Sequence, residues 1–243
     1  MCEEILNIRN VTFSYNKKKN ILNDVSFKLR RGEIAVLAGP NGSGKTTLIK
    51  LIFDLLAIQK GSITINDKLN TNIEAKRNIL YLPSDNLLPE FLTGNEYIKL
   101  MCNMYDVTTN KELLEKLIKY YSMETSMDDL IEAYSHGMSK KLQLILAFLI
   151  QPSLIIIDET LNGIDIEAKE ITKIIMKKIV NKGCSILMCS HDLELSEEIG
   201  ERAILMYKGE IIREIIMEDL DTNENLSSVF KEIINFEEKN YDI

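Results

Sequence analysis

The sequence lacks any apolar run long enough to span a membrane. A spanning helix needs about 18 or more consecutive apolar residues, and the longest apolar run near the middle of the chain, Leu144 to Ile150, is much shorter. The first residues, Met1 to Glu4, are acidic where a secretory signal would be basic and then apolar. We therefore predict that no part of this chain crosses a membrane.

Cysteine, histidine and basic clusters are also scarce. The four cysteines show no CxxC spacing, which predicts neither a zinc site nor a disulfide framework and favours a reduced, cytoplasmic setting. The formal net charge is −8, and the one dense basic run, Lys17 to Lys19, is typical of a solvated turn. Binding along the phosphates of nucleic acids needs a basic stripe, so we predict no nucleic-acid partner.

The N-terminal part of the chain has the pattern of strands. Alternating apolar and polar residues predict strands over 5–15 and 25–29, and the continuous apolar run 34–37 predicts a strand that is buried on both faces. Helical periodicity follows over 46–56, and two further short strands are predicted at 63–65 and 79–82.

The middle of the chain is predicted to be helical. A capping box at Thr93 and a capping residue at Asn110 each open a helix, and a third helix runs from about Ser139 to Ile150. Strands and helices then alternate again as far as Tyr207. The sequence predicts one α/β domain over 1–243, with a mixed β core, an N-terminal antiparallel β region, an inserted helical subdomain at about 84–150 and a short C-terminal tail at about 218–243.

A glycine-rich loop lies between a predicted strand and a predicted helix. Residues 39–46 match the pattern GxxxxGK[ST] in the strand–loop–helix context that gives this pattern its meaning. Glycines let backbone N–H groups turn inward around phosphate oxygens, and the helix points its positive end at the anion. In such P-loops the lysine, here Lys45, reaches the outer phosphates, and the Thr46 hydroxyl ligates Mg²⁺. The residues predicted to bind the nucleotide here are Gly39, Pro40, Asn41, Gly42, Ser43, Gly44, Lys45, Thr46 and Thr47.

Two carboxylates follow the apolar strand 154–157. A strand that ends beside a phosphate loop can offer one carboxylate to Mg²⁺ and another to an attacking water. We assign Asp158 to the metal and Glu159 to the activation of water. Without the glycine-rich loop upstream, an ordinary strand that meets an acidic loop would be the better explanation.

One of the two histidines has a position suited to the same site. His191 follows the predicted strand 185–189, at the second strand-to-helix turn after Asp158. Sequential parallel strands bring such turns to the same edge of a sheet, where His191 would orient the γ-phosphate. The alternative is a histidine that serves only the structure.

The segment Tyr134-Ser135-His136-Gly137-Met138 opens a helix and resembles the signature sequence of the ABC transporter family. It departs from the commonest form, LSGGQ, and is similar to signatures in ATPase subunits of bacterial drug, peptide and lantibiotic exporters. The resemblance covers nearly the whole chain. In order along the chain it comprises Tyr15, the P-loop, the signature, Asp158 with Glu159, the loop 162–165 and His191.

This resemblance implies a dimeric ATPase. Tyr15 would stack on adenine, with a strand aromatic that faces the core as the alternative. Ser135 and Gly137 would bind the γ-phosphate of an ATP held by a second ATPase subunit, identical or a paralogue, and Asp165 would communicate across that interface. The helical subdomain would dock on a separate transmembrane permease, which would hold the chain at the inner face of the cell membrane and use ATP hydrolysis for transport.

Two positions depart from the family's usual pattern. Ser84 stands where a glutamine usually helps to sense Mg²⁺, and serine is too short for the same contact. Thr160 replaces the proline that commonly follows the acidic pair, which we interpret as tolerable.

Several functions remain open at this stage. An exporter ATPase is the leading hypothesis, and an importer ATPase is the alternative within the fold, although the segment after Gly209 is short for a regulatory domain. ABC ATPases that act on ribosomes or DNA usually have tandem domains or coiled-coil arms, neither of which is present in this sequence. A cytosolic scaffold ATPase is a further alternative. The last alternative is a module that binds ATP without cleaving it, and the presence of the proposed base Glu159 argues against this one.

Overall fold

The computed structural model describes residues 3–16, 19–85, 87–190, 193–220 and 225–238, and for 233–238 the backbone alone. Within these residues, three strands come first, and α3, α4 and α5 follow one another between β6 and β7. The strands are β1 (Glu4–Phe13), β2 (Leu22–Arg30), β3 (Ile34–Ala38), β4 (Lys60–Ile65), β5 (Lys68–Leu69), β6 (Ile79–Leu82), β7 (Leu154–Asp158), β8 (Ser185–Ser190), β9 (Arg202–Tyr207) and β10 (Glu210–Ile216). The helices are α1 (Lys45–Ile52), α2 (Ile73–Arg77), α3 (Gly94–Met104), α4 (Lys111–Tyr120), α5 (His136–Ile150), α6 (Ile166–Val180), α7 (Leu193–Ile199) and α8 (Leu226–Glu238).

The strands form two sheets, as the sequence predicts. An antiparallel sheet has the order β2-β1-β4-β5, and a six-stranded sheet has the order β10-β9-β3-β8-β7-β6. Strands β9, β3, β8, β7 and β6 are parallel, whereas β10 pairs antiparallel with β9 at one edge. Because β3 and β7 both flank β8, the loops that follow these three strands meet at one edge of the larger sheet.

The larger sheet is the middle layer of the fold. Along β3, Val36 and Ala38 pack into a core shared with the helices α3 to α6. The alternate residues, Ala35 and Leu37, pack into a second core formed by α1 and the antiparallel sheet. All five residues of β3 are buried, which explains its continuous apolar sequence.

The capping signals read from the sequence are confirmed. Thr93 and Glu96 form both bonds of a capping box at the start of α3, and the Asn110 side chain accepts the Leu113 N–H at the start of α4. Two helix boundaries were predicted wrongly. Helix α1 ends at Ile52 rather than near 56, because the chain turns through a left-handed conformation at Asp54 (φ 56°), and α5 begins at His136 rather than 139, because Ser135 caps it.

The predicted C-terminal tail contains a helix that the sequence analysis missed. Helix α8 buries Leu226, Val229 and Phe230 in the core that also contains the α5 and α6 side chains. At the start of α8, the Leu226 N–H donates a hydrogen bond to the carboxylate of Glu197 on α7. No helix among the described residues is long and apolar enough to cross a membrane.

Candidate nucleotide-binding site

The glycine-rich loop runs from the end of β3 into α1, and its glycines are required by its geometry. A side chain at Gly39 would place a Cβ 2.2 Å from the backbone oxygen of Met206 on β9. Gly44 is the N-cap of α1 and has φ 113°, a left-handed conformation that favours glycine. The loop therefore turns tightly against β9 and runs directly into the start of α1.

The side chain of Lys45 lies inside this loop. Its Nζ donates to the Gly39 oxygen at 2.7 Å and to the Pro40 oxygen at 3.2 Å, and the residue is 7% exposed. The Ser43 hydroxyl is buried and has no hydrogen-bond partner among the described residues. A buried ammonium ion and a buried, unpaired hydroxyl in one loop fit the binding of an oxygen-rich anion.

A cavity of about 390 Å³ opens beside the loop. It brings together residues that lie far apart in the sequence: the P-loop, the acidic pair and the aromatic predicted to contact adenine. Its lining residues are Tyr15, Ile21, Asn41, Gly42, Gly44, Lys45, Thr46, Thr47, Ser84, Asp158 and Glu159. The predicted P-loop residues Gly39, Pro40 and Ser43 are not among the residues that line it.

Tyr15 stands at the mouth of the cavity. Strand β1 ends at Phe13 rather than at 15, so Tyr15 lies beyond the strand and is 59% exposed. Its ring meets the Phe13 ring edge-on at 5.0 Å, and its hydroxyl lies 3.4 Å from the Thr47 Oγ1. The alternative of a tyrosine buried in the core is thereby wrong, and one face of an aromatic ring is open beside the P-loop.

The acidic pair lies at the end of β7. Asp158 is 5% exposed, and burial raises the pKa of its carboxyl group, an effect that a hydrogen bond from Tyr81 opposes. Glu159 has a positive φ of 54°, and its N–H donates to the Cys189 oxygen of β8 at 3.1 Å. Both residues line the cavity.

Tyr81 was not singled out by the sequence analysis. Its hydroxyl donates to Oδ2 of Asp158 at 3.0 Å. Burial, and then the nearby Asp158 carboxylate, raise the pKa of Tyr81 well above its ordinary value, so the hydroxyl keeps its proton and remains a donor.

The chain after β6 is held through its backbone. Lys140 of α5 is 1% exposed, and its Nζ donates to the Pro83 oxygen at 2.7 Å and to the Ser84 oxygen. The Thr160 hydroxyl donates to the Leu82 oxygen at 2.9 Å. Ser84, which replaces the usual glutamine, therefore lines the cavity in a segment fixed by Lys140 and Thr160.

The signature residues do not line this cavity. Ser135 caps α5 by accepting the Met138 N–H at 3.2 Å, and a Cβ at Gly137 would lie 3.1 Å from the Gly163 oxygen. Ser135 is exposed. The signature thus packs against the loop 162–165 of its own chain and presents its serine to solvent.

Asp165 connects that loop to the signature helix. Its carboxylate caps α6 by accepting the Ala168 N–H at 2.8 Å and forms an ion pair with Lys141 at 2.6 Å. The hydrogen bond from Lys141, followed by that from the Ala168 N–H, lowers the pKa of Asp165. His191, predicted to orient the γ-phosphate, lies outside the described residues.

The oxygen ligands at the cavity edge suit Mg²⁺. This ion usually takes one or two protein oxygens and completes its shell with phosphates and water, and the hydroxyl of Thr46 and the carboxylate of Asp158 line one cavity. No cluster of three or more His, Cys, Asp or Glu side chains that could hold a metal occurs in the part of the chain that the structure describes.

Comparisons with known proteins identify the family. A family model described as ABC transporter matches residues 22–162. The ABC transporter ATP-binding protein YdbJ of Bacillus subtilis (strain 168) is 34% identical over 226 residues, covering 91% of this chain and 72% of YdbJ. The linearmycin resistance ATP-binding protein LnrL of the same organism is 30% identical, covering 86% of this chain and 68% of LnrL.

A solved structure has the same fold. The structure of an ATP-binding subunit of an ABC transporter is 27% identical and superposes with a TM-score of 0.88, covering 95% of this chain and 99% of the other. The chain therefore belongs to the family of ABC transporter ATP-binding proteins.

Proposed function

We propose that this chain binds ATP with Mg²⁺ in the cavity beside the P-loop, hydrolyses it, and works as a dimer that drives export through a separate transmembrane permease. The observation that supports this best is the cavity itself. This cavity has a volume of about 390 Å³, and its lining includes an aromatic ring (Tyr15), the P-loop lysine (Lys45), two oxygen ligands suited to Mg²⁺ (Thr46 and Asp158) and a second carboxylate (Glu159).

Each residue has a distinct part in ATP binding. The exposed ring of Tyr15 offers a stacking surface for adenine. The N–H groups at the start of α1 and the Lys45 ammonium bind the phosphate oxygens. When bound, Mg²⁺ neutralises phosphate charge, and the Thr46 hydroxyl and the Asp158 carboxylate are the residues that hold it.

Glu159 is the proposed general base. It accepts a proton from the attacking water as the new P–O bond forms, and the bond between the γ-phosphorus and the bridging oxygen breaks. Its backbone is held at a positive φ by the bond to β8. Its side chain lines the same cavity as the metal ligand Asp158 next to it.

The exposed signature fits a site completed by a second subunit. Ser135 is exposed and does not line the cavity of its own chain. A serine hydroxyl, the Gly137 backbone and the start of α5 together form an anion site. We propose that this site binds the γ-phosphate held by the P-loop of a second ATPase subunit, and that Asp165 links the two sites.

Transport is proposed from the family and from one relative's name. Resistance to linearmycin, named for LnrL, fits removal of a compound from the cell and favours export over import. The exposed apolar side chains Leu87 and Phe91, 74% and 78% exposed, lie between β6 and α3 and suit the docking of a permease at the helical insertion.

Replacement of Glu159 by glutamine tests the hydrolytic part. We expect Glu159→Gln to bind ATP with unchanged affinity and to lose roughly a hundredfold or more in turnover, because general-base catalysis is removed. Unchanged turnover would remove Glu159 from the mechanism. Light scattering of the same variant should show a dimer only with ATP and Mg²⁺, and a protein that binds ATP but stays monomeric would contradict a homodimer.

Replacement of Lys45 by alanine tests the binding part. At a ligand concentration of 100 Kd, binding stabilises a protein by about 2.7 kcal/mol, which for a chain of this size raises Tm by about 5–11 °C. Lys45→Ala should lose this rise, while Lys50→Ala, an exposed lysine on the same helix, should keep it. A full rise in Lys45→Ala would contradict the assignment of the P-loop.

A further inference from the structure

The carboxylate proposed to hold Mg²⁺ is fixed by one neighbouring hydroxyl. Among the described residues, the Tyr81 hydroxyl is the side-chain group that hydrogen bonds to Asp158, and it engages Oδ2 at 3.0 Å. This leaves the other carboxylate oxygen for a cation. Side chains that hold a metal-ligating carboxylate in this way orient it and tune its affinity for the metal.

The register of the sheet places Tyr81 for this contact. Strands β6 and β7 are parallel, and Tyr81 lies opposite Ile156. Ile156 and Asp158 are two residues apart, so they share one face of the sheet, and Tyr81 shares it with them. From that position the long tyrosine side chain reaches along the face to the carboxylate.

The ring of Tyr81 is held in place by packing. It lies 5.3 Å from the ring of Phe53, the residue that follows α1, and belongs to the core between the larger sheet and α1. The hydroxyl is thus a fixed donor, positioned by the same helix that begins at the P-loop. The ring contact does not depend on the hydroxyl, so a phenylalanine at this position would preserve it.

Ser84, the position at which this chain departs from the family's usual glutamine, lies just beyond the end of β6. Ser84 lines the cavity, but its side chain is short and its carbonyl is held by Lys140. Tyr81 lies on β6, three residues before Ser84, and its hydroxyl contacts the proposed metal ligand Asp158. We infer that Tyr81 is a positioning residue for magnesium, which holds Asp158 in the orientation that ligates the ion. This inference rests on the proposed binding of nucleotide with Mg²⁺.

Binding of Mn²⁺ tests this inference without any measurement of turnover. Mn²⁺ accepts the same oxygen ligands as Mg²⁺ and can be followed by electron paramagnetic resonance in the presence of ADP. We expect Tyr81→Phe to weaken Mn²⁺ binding to the protein–ADP complex about tenfold. The affinity for ADP in EDTA should stay unchanged, because the P-loop is not altered.

Tyr105→Phe is a matched control. The Tyr105 hydroxyl also bonds to β6, donating to the Ile79 oxygen at 2.8 Å, but it does not touch Asp158. Its loss should leave Mn²⁺ affinity unchanged. Wild-type Mn²⁺ affinity in Tyr81→Phe, or equal losses in both variants, would overturn the positioning role alone. A wild-type chain that binds ADP but no Mn²⁺ would overturn the proposed magnesium site, and this inference with it.

Discussion

A buried hydroxyl joins the loop that follows the acidic pair to β6. Thr160 is fully buried, and its Oγ1 donates to the Leu82 oxygen at 2.9 Å. Thr160→Val keeps the shape of the side chain but leaves that oxygen without this partner, which costs about 1–3 kcal/mol. For a chain of this length each kcal/mol lowers Tm by about 2–4 °C.

The same substitution should also slow hydrolysis. Thr160 directly follows Glu159, so loss of its bond to β6 shifts the proposed base, and a displacement of about 1 Å can lower turnover by up to about a hundredfold. We expect kcat to fall while the affinity for ATP, set by the P-loop, stays within about twofold. Thermal unfolding and steady-state ATPase assays measure the two effects separately.

Thr172→Val provides the comparison. Thr172 is equally buried, and its hydroxyl bonds to the Ala168 oxygen and the Tyr121 hydroxyl, both at 2.7 Å and both in the helical part of the core. Its loss should lower stability by a similar amount without changing kcat. Equal losses of kcat in the two variants would refute the reasoning, as would full turnover in Thr160→Val.

Two further predictions concern the support of the P-loop and the docking of α8. Gly209 donates its N–H to the backbone oxygen of Ser43 at 2.9 Å, and a Cβ at this glycine would lie 2.2 Å from another backbone oxygen. We therefore expect Gly209→Ala to weaken ATP binding at least about tenfold. Gly183 also has a positive φ but lies in open space, so Gly183→Ala should lower the free energy of unfolding by only about 1–2 kcal/mol and leave ATP binding unchanged. Leu226→Ala should lower the free energy of unfolding, measured by chemical denaturation, by about 2–5 kcal/mol. Leu87 is exposed, so Leu87→Ala should lower it by less than about 0.5 kcal/mol. Equal values would mean that α8 does not pack as described.

Local patterns predicted the parts of the site that are local in sequence. The P-loop pattern, the capping box at Thr93 and the apolar strand before Asp158 each depend on neighbours within a few residues, and the structure contains them all. The contact of Tyr81 with Asp158 could not be predicted from such neighbours. This contact requires the register of β6 against β7, which the sequence alone does not fix.

Lys140 shows why other contacts could not be predicted. A lysine on a helix is ordinarily exposed, yet this one is 1% exposed and finds two carbonyl acceptors at the end of β6. Burial lowers its pKa, and the carboxylates of Asp85 and Asp158 oppose that change. Only the path of the chain after β6 reveals those acceptors. Helix α8 was not predicted although its sequence carries the signal, since Leu226, Val229 and Phe230 have the spacing of one apolar helix face.

These non-local contacts converge on one helix. Helix α5 begins at the signature, sends Lys140 to the Pro83 and Ser84 carbonyls, and sends Lys141 to Asp165. Consecutive helical residues point about 100° apart, so the two lysines hold α5 from different sides. A rotation of the signature relative to the sheet must carry both the cavity edge and the loop 162–165 with it, or break a hydrogen bond or ion pair. The contacts that the motifs did not predict are therefore those that connect the motifs to each other.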